Sequence, residues 1–234
     1  MSDFSHLNIF RNLENGNPVR VCAFGASNTQ RRLPGMHWFD YVELGFKQKY
    51  GGGAGQFLNA GIGGNTTRDL LGRFERDVAP FRPDLTLVTI GGNDINPAFS
   101  ISCEEFKSNL GKIHKCLNGV GSQVIFQTYY ACDLVQLDEE RRDKMVKLMQ
   151  IVRETAPELG AELNDNDRRW IPLREKRHDL YSLLMEDAMH VNELGNRVIG
   201  LDLMRRFGIV SKEDAGIFAD GHFVQALLDT LEKE

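Results

Sequence analysis

Leu85-Thr86-Leu87-Val88-Thr89-Ile90-Gly91-Gly92-Asn93-Asp94 is the stretch on which the fold turns. Its first six residues form an uninterrupted apolar and β-branched run, the composition of a strand buried on both faces near the centre of a parallel sheet. Its last four break the run with two glycines and two turn-forming polar residues. Asn93 therefore falls just past the carboxyl end of the strand. Open parallel sheets bind their ligands at that end. One segment thus predicts an α/β fold and the edge of the sheet where chemistry belongs.

Apolar runs alternate with helical patterns on both sides of it, as expected of a parallel α/β sheet. Val19 to Phe24 reads as the first strand and Gln56 to Asn59 as a short second one. Gln123 to Thr128 reads as the fourth and Ala161 to Asn164 as a short fifth. Between them the 3.6-residue period predicts helices near Trp38 to Gln48, with Trp38, Val42 and either Tyr41 or Gly45 inward, and over Thr66 to Val78, with Leu70, Leu71, Phe74 and Val78 inward. It predicts further helices over Ser102 to Leu117 and over Leu137 to Thr155, the latter with Met145, Leu148, Met149 and Val152 as its buried stripe. Thr66 with Asp69, and Ser102 with Glu105, have the spacing of capping boxes. After Pro157 the pattern weakens until Asn192, which can cap a last core helix carrying Leu194, Val198, Leu201 and Met204. Phe4 to Leu13 and Phe223 to Leu231 read as short amphipathic helices outside the core. They are expected to clasp it or to build a homodimer interface. There is no repeat, linker or low-complexity run, so residues 1–234 read as one domain with a core over about 19–204.

The totals narrow the function. The chain has 234 residues, 41% hydrophobic and 26% charged, with a net charge of -5. An acidic chain whose Lys and Arg are scattered does not look like a nucleic-acid binder. No run approaches the roughly 18 apolar residues of a membrane span. The first residues lack the basic and apolar regions of a secretory signal. Cys22, Cys103, Cys116 and Cys132 are widely spaced, with no C-x-x-C pair, and read as reduced thiols of a cytoplasmic protein.

Four short segments carry the chemistry: Gly25-Ala26-Ser27-Asn28, Gly63-Gly64-Asn65-Thr66, Gly91-Gly92-Asn93-Asp94 and Asp187-Ala188-Met189-His190. The first three each follow a predicted strand, so they can meet in one crevice. Ser27 is the candidate nucleophile. A neutral hydroxyl needs an adjacent base to attack an ester. His190 is the candidate base, and Asp187, three residues earlier, can orient its imidazole. The backbone N–H groups of Ser27 and Gly64 and the side-chain amide of Asn93 are candidate oxyanion donors. Alone, each segment is an ordinary turn. In conjunction they point to acyl transfer from esters.

These segments resemble the SGNH hydrolases, also called the GDSL esterase/lipase family, which is known by four blocks around Ser, Gly, Asn and His. Ser27, Gly64, Asn93 and the D-x-x-H pair Asp187 and His190 occupy the matching positions, over about residues 19–204. The resemblance implies a flavodoxin-like three-layer α/β/α sandwich with a five-stranded parallel sheet and no cofactor. Two positions depart from the pattern. Ala26 replaces the usual Asp of the G-D-S motif, and Val191 replaces the usual proline after the histidine. Neither removes a proton-transfer or oxyanion group.

Other motifs carry less. Thr29 stands where a G-x-S-x-G elbow needs its second glycine. Gly51 to Gly55 precedes a strand and lacks the Gly-Lys-Ser/Thr of a phosphate loop. His178-Asp179 reads as surface. Arg31, Arg32 and Arg68 can rim the pocket or be solvated surface charges. Tyr129 and Tyr130, ending the fourth strand, can stack on a sugar or pack in the core. The expected partner is a small acyl ester, with a short acyl group such as acetyl on a carbohydrate or other polar alcohol. Lysophospholipase or thioesterase chemistry, acyl transfer to another alcohol, and a non-catalytic binding module are the alternatives.

Overall fold

Leu85–Thr89 is the middle strand of a five-stranded, all-parallel sheet. In chain order the strands are β1 (Val19–Gly25), β2 (Gly55–Gly61), β3 (Leu85–Thr89), β4 (Gln123–Gln127) and β5 (Glu162–Asn164). Their spatial order is β2-β1-β3-β4-β5. The computed structural model of the chain describes residues 3–32, 34–209 and 219–233. Met1 and Ser2, read above for a leader, lie outside the described residues. The chain runs outward from β1 to β2, then returns to start β3 on the other side of β1. The strand order therefore reverses between β1 and β3, and the crevice of an open sheet lies beyond the carboxyl ends of such a pair.

Nine α-helices are present among the described residues: α1 (Asn8–Glu14), α2 (Trp38–Tyr50), α3 (Thr67–Asp77), α4 (Cys103–Gly119), α5 (Glu139–Glu158), α6 (Asn166–Lys176), α7 (His178–Ser182), α8 (Glu193–Arg206) and α9 (Ala219–Leu231). Successive strand residues send side chains to opposite faces. Val21, Ala23, Leu85, Leu87 and Ile125 enter one core with Phe10 of α1, Val42 and Phe46 of α2, Trp170 of α6, Leu203 of α8 and Leu228 of α9. Cys22, Phe24, Val88, Val124 and Phe126 enter the other with Phe74 of α3, Leu110 of α4 and Leu148 of α5. Helices thus cover both faces of the sheet, as an all-parallel sheet requires.

Both terminal helices pack onto the first core. Rings of Phe4 and Phe10 meet Phe207 at centroid distances of 5.8 and 5.5 Å. On the last helix Val224, Leu228 and Leu231 are buried, while Phe223 is 72% exposed. The Thr66 box forms as read, with Asp69 accepting from the Thr66 N–H at 2.7 Å. The Ser102 box forms by half. Ser102 Oγ accepts from the Glu105 N–H at 3.1 Å, but the Glu105 carboxylate bonds Arg68 instead.

The weak region after Pro157 contains α6 and α7. The inward face of α6 carries Asn166 and Arg169 beside Trp170 and Leu173. Arg169 is 2% exposed and bonded to Asp229 at 2.6 Å, Glu232 at 2.8 Å and Gln225 at 3.1 Å. A buried arginine neutralised from α9 breaks the apolar period that would otherwise reveal the helix.

His37, at the start of α2, is also buried. Burial, with Arg31 and Arg32 adding to it, pushes its pKa down from 6.5 to about 4. The folded state holds it neutral while the unfolded chain binds the proton. The stability this contributes is full above pH 6.5 and is lost as the pH falls through about 4, a range worth about 3 kcal/mol. Urea unfolding at pH 7.5 and pH 5 is expected to show this loss, and His37→Asn to flatten it. An equal slope in both proteins would assign the acid sensitivity to other groups.

Candidate active site

Ser27 stands at the apex of a tight turn after β1. The N–H groups of Thr29 and Gln30 both bond the carbonyl of Ala26, at 3.0 and 2.8 Å. The turn sits close on the end of β3: a Cβ at Gly25 would lie 2.3 Å from the carbonyl oxygen of Thr89. Ala26 is fully buried in the second core. A carboxylate at that position would need partners to offset its desolvation, so alanine suits the surroundings.

His190 approaches from the loop between α7 and α8. Its Nε2 lies 2.8 Å from Ser27 Oγ, although 163 residues separate them. Its Nδ1 lies 2.9 and 2.8 Å from the two Asp187 oxygens. Asp187 also accepts from the Met189 N–H at 2.7 Å. Burial acts to raise the Asp187 pKa, but the Met189 N–H and the imidazole outweigh it and hold the carboxyl below its ordinary value. The group is therefore ionised and ready to stabilise a cationic imidazole. The glutamate before it, Glu186, forms a forked pair with Arg32 at 2.7 and 3.2 Å.

The second and third segments lie against the first. A Cβ built on Gly63 would come within 3.9 Å of Ser27 Cβ. Gly64 has a φ of 80°, a conformation that glycine adopts without strain. Asn93 donates one amide hydrogen to the carbonyl of Asn65 at 2.9 Å, which sets the plane of the amide and leaves its second hydrogen for another acceptor. Asp94 is fully buried and accepts from the N–H and hydroxyl of Thr67 at 3.0 and 2.6 Å, pinning this loop to the start of α3.

Arg73 was not singled out by the motifs, yet it ties three parts of the site together. Its nearly buried guanidinium donates to Asn65 Oδ1 at 2.6 Å, to the Gly25 carbonyl at 2.9 Å and to Asp77 at 3.1 Å. It also lies 4.7 Å over the Phe24 ring. The sequence does carry a trace of it. A charged residue at position 73 interrupts the inward stripe of Leu70, Phe74 and Val78.

Arg31, Arg32, Arg68 and Tyr129, offered as substrate contacts, lie differently. Arg31 pairs with Asp40 at 3.2 Å and is largely exposed, and Arg32 pairs with Glu186, so the charges of both arginines are partly matched. Arg68 is held away by Glu105, at 2.5 and 2.7 Å, and by the Phe99 carbonyl at 3.0 Å. Tyr129 is 2% exposed, and a Cβ at Gly92 would lie 2.4 Å from its hydroxyl, so its ring packs beneath the third segment rather than on the rim. All four cysteines are free thiols. Among the described residues no group of three or more His, Cys, Asp or Glu is arranged to hold a metal ion, and no helix is long and apolar enough to cross a membrane.

The sequence profile of the GDSL-like lipase/acylhydrolase family matches residues 23–198. The chain belongs to this family. The matched stretch includes Gly25-Ala26-Ser27-Asn28 and His190. Among its curated relatives, an acetylxylan esterase from Geobacillus stearothermophilus is 25% identical over 177 residues, covering 72% of this chain and 75% of that protein. The fold is that of solved family esterases. The crystal structure of the acetyl xylan esterase AlAXEase superposes with a TM-score of 0.71 at 23% identity, over 80% of this chain and 98% of that one. A catalytic serine-to-alanine mutant of an acetylxylan esterase from Geobacillus stearothermophilus gives a TM-score of 0.68 at 23% identity, over 81% of this chain and 94% of that one. Catalytic mutants of the same esterase at a histidine and at an aspartate three positions before it have also been solved.

Proposed function

We propose that this family member is a serine esterase that hydrolyses short acyl esters, in particular acetyl groups on a carbohydrate or similar polar alcohol. The observation that carries the proposal is the chain Ser27 Oγ to His190 Nε2 at 2.8 Å and His190 Nδ1 to Asp187 at 2.8 Å. Ser27 Oγ attacks the ester carbonyl carbon while Nε2 takes its proton. The oxyanion forms towards the N–H groups of Ser27 and Gly64 and the free amide hydrogen of Asn93. His190 returns the proton to the departing alcohol, leaving an acyl-enzyme. Water, deprotonated by the same nitrogen, then releases the acid and restores Ser27. Asp187 holds the imidazole in the tautomer this requires. Relatives that are acetylxylan esterases support acetyl as the acyl group and a sugar as the alcohol.

Hydrolysis of p-nitrophenyl esters from acetate to decanoate, followed by acetylated xylo-oligosaccharides, tests the reading. Turnover is expected to peak at acetate. A peak at long chains would replace it with lysophospholipase or thioesterase chemistry. Failure of Ser27 to react with a fluorophosphonate would indicate a binding module. Turnover is also expected to fall with pH across the range where histidines gain a proton, because imidazolium cannot accept one from Ser27. The folded fraction must be followed alongside, since His37 lowers stability over part of that range. A rate unchanged from pH 8 to pH 5 would remove His190 as the base.

A further inference from the structure

A polar contact deep in the fold joins the two loops that must meet for this chemistry. Asn28 follows the proposed nucleophile and Met189 precedes the proposed base. The Asn28 side-chain amide donates to the Met189 carbonyl at 3.1 Å. The Tyr130 hydroxyl lies 2.7 Å from Asn28 Oδ1 and 2.5 Å from the same Met189 carbonyl. The three groups close a triangle. The amide orientation follows from the partners, because turning it over would set Oδ1 against the carbonyl oxygen, two acceptors face to face.

The corners of this triangle are held independently. The Asn28 carbonyl accepts from Trp38 Nε1 at 2.7 Å. The Tyr130 ring packs on Trp170 at 5.5 Å between centroids. The segment after β4 grips the histidine loop a second time, through the Asp133 N–H to the Ala188 carbonyl at 2.9 Å. Tyr130 and Asn28 are 3% and 8% exposed, so water does not compete effectively for these bonds. Burial pushes the Tyr130 pKa well above its ordinary value, and the hydroxyl remains a neutral donor at working pH.

We infer that Tyr130 and Asn28 are positioning residues that set the distance between Ser27 and His190, through a hydrogen-bonded strut from residue 28 to residue 189. The inference rests on the esterase reading above. Neither side chain contacts the reacting atoms. Their effect is transmitted because the two ends of the strut, Asn28 and Met189, are covalently adjacent to Ser27 and His190. A misplacement of about 1 Å between reacting groups can cost about 100-fold in rate.

The test is Tyr130→Phe, which removes one oxygen and keeps the ring, assayed with p-nitrophenyl acetate and referred to active sites titrated with a fluorophosphonate. The expected result is a fall in kcat of about 10- to 100-fold, with KM within about twofold. Asn28→Leu breaks the same triangle from the other side and is expected to give a similar fall. It carries the test if Tyr130→Phe does not fold. The double variant should lose little more than either single one, because all three interrupt one strut. A purely structural role would lower Tm or the titratable fraction and leave kcat per titrated site unchanged, and that result overturns the inference. So does a double variant whose losses multiply. If the native protein shows no Ser27-dependent turnover of any ester, the esterase reading itself fails and the strut falls with it. Native turnover with unaffected variants removes the strut alone.

Discussion

Ser27→Ala is expected to abolish ester turnover, with a loss of about five to six orders of magnitude in kcat, the scale seen when a triad serine is removed from a hydrolase. The substitution deletes a single oxygen at the apex of a turn whose geometry comes from backbone bonds to the Ala26 carbonyl. Folding should therefore be nearly unchanged, with Tm within a few degrees. His190 Nε2 loses its partner at 2.8 Å, but Asp187 still holds the ring through Nδ1. What disappears is the atom that would form the acyl-enzyme. Two measurements check this: turnover of p-nitrophenyl acetate, and covalent labelling by a fluorophosphonate. Labelling should vanish with turnover. A variant that keeps a tenth or more of native activity would show that Ser27 is not the nucleophile.

Asn93→Ala carries the second largest expected effect, a fall of about 100- to 1000-fold in kcat. Magnitudes separate two roles for this residue. One amide hydrogen is committed to the Asn65 carbonyl at 2.9 Å, a structural bond worth about 1 kcal/mol to stability. The other is assigned to the oxyanion, where loss of a donor costs about 3 to 4 kcal/mol in the transition state. If both assignments hold, the loss in activation free energy should exceed the loss in unfolding free energy about threefold. Kinetics on titrated sites and urea unfolding on the same preparation give the two figures. Equal losses would leave Asn93 with its structural bond alone. The neighbouring Arg73 bears on the interpretation. It bonds Asn65 Oδ1 and the Gly25 carbonyl, so the acceptor for Asn93 stays in place when the amide is removed.

The elements that could be read from the sequence are those whose signals are local. The β3 run from Leu85 to Thr89, the inward stripe of Met145, Leu148, Met149 and Val152 on α5, and the cap at Asn192 all lie where expected. Boundaries shifted by a few residues. The helix expected to end at Thr155 continues through Pro157 to Glu158. The helices after β5 were hidden because Arg169 stands where an apolar residue would have marked the buried face. Its partners Asp229 and Glu232 lie 60 and 63 residues further on.

The same division runs through the candidate site. Ser27, Gly64, Asn93, Asp187 and His190 are legible because the turn that presents each is written in its immediate neighbours, and because strand-end loops of a parallel sheet share one edge. The sequence alone therefore determined the fold class, the family resemblance and the residues that could react. The tertiary structure alone decided which polar side chains serve the site from behind. A linear reading gives Arg73 and Asn28 no role of their own, and it leaves Tyr129 and Tyr130 between sugar and core and Arg68 between pocket and surface. Whether a polar group is buried, exposed or matched depends on partners brought in from distant segments, and pattern within a window of one helix or strand does not contain that information.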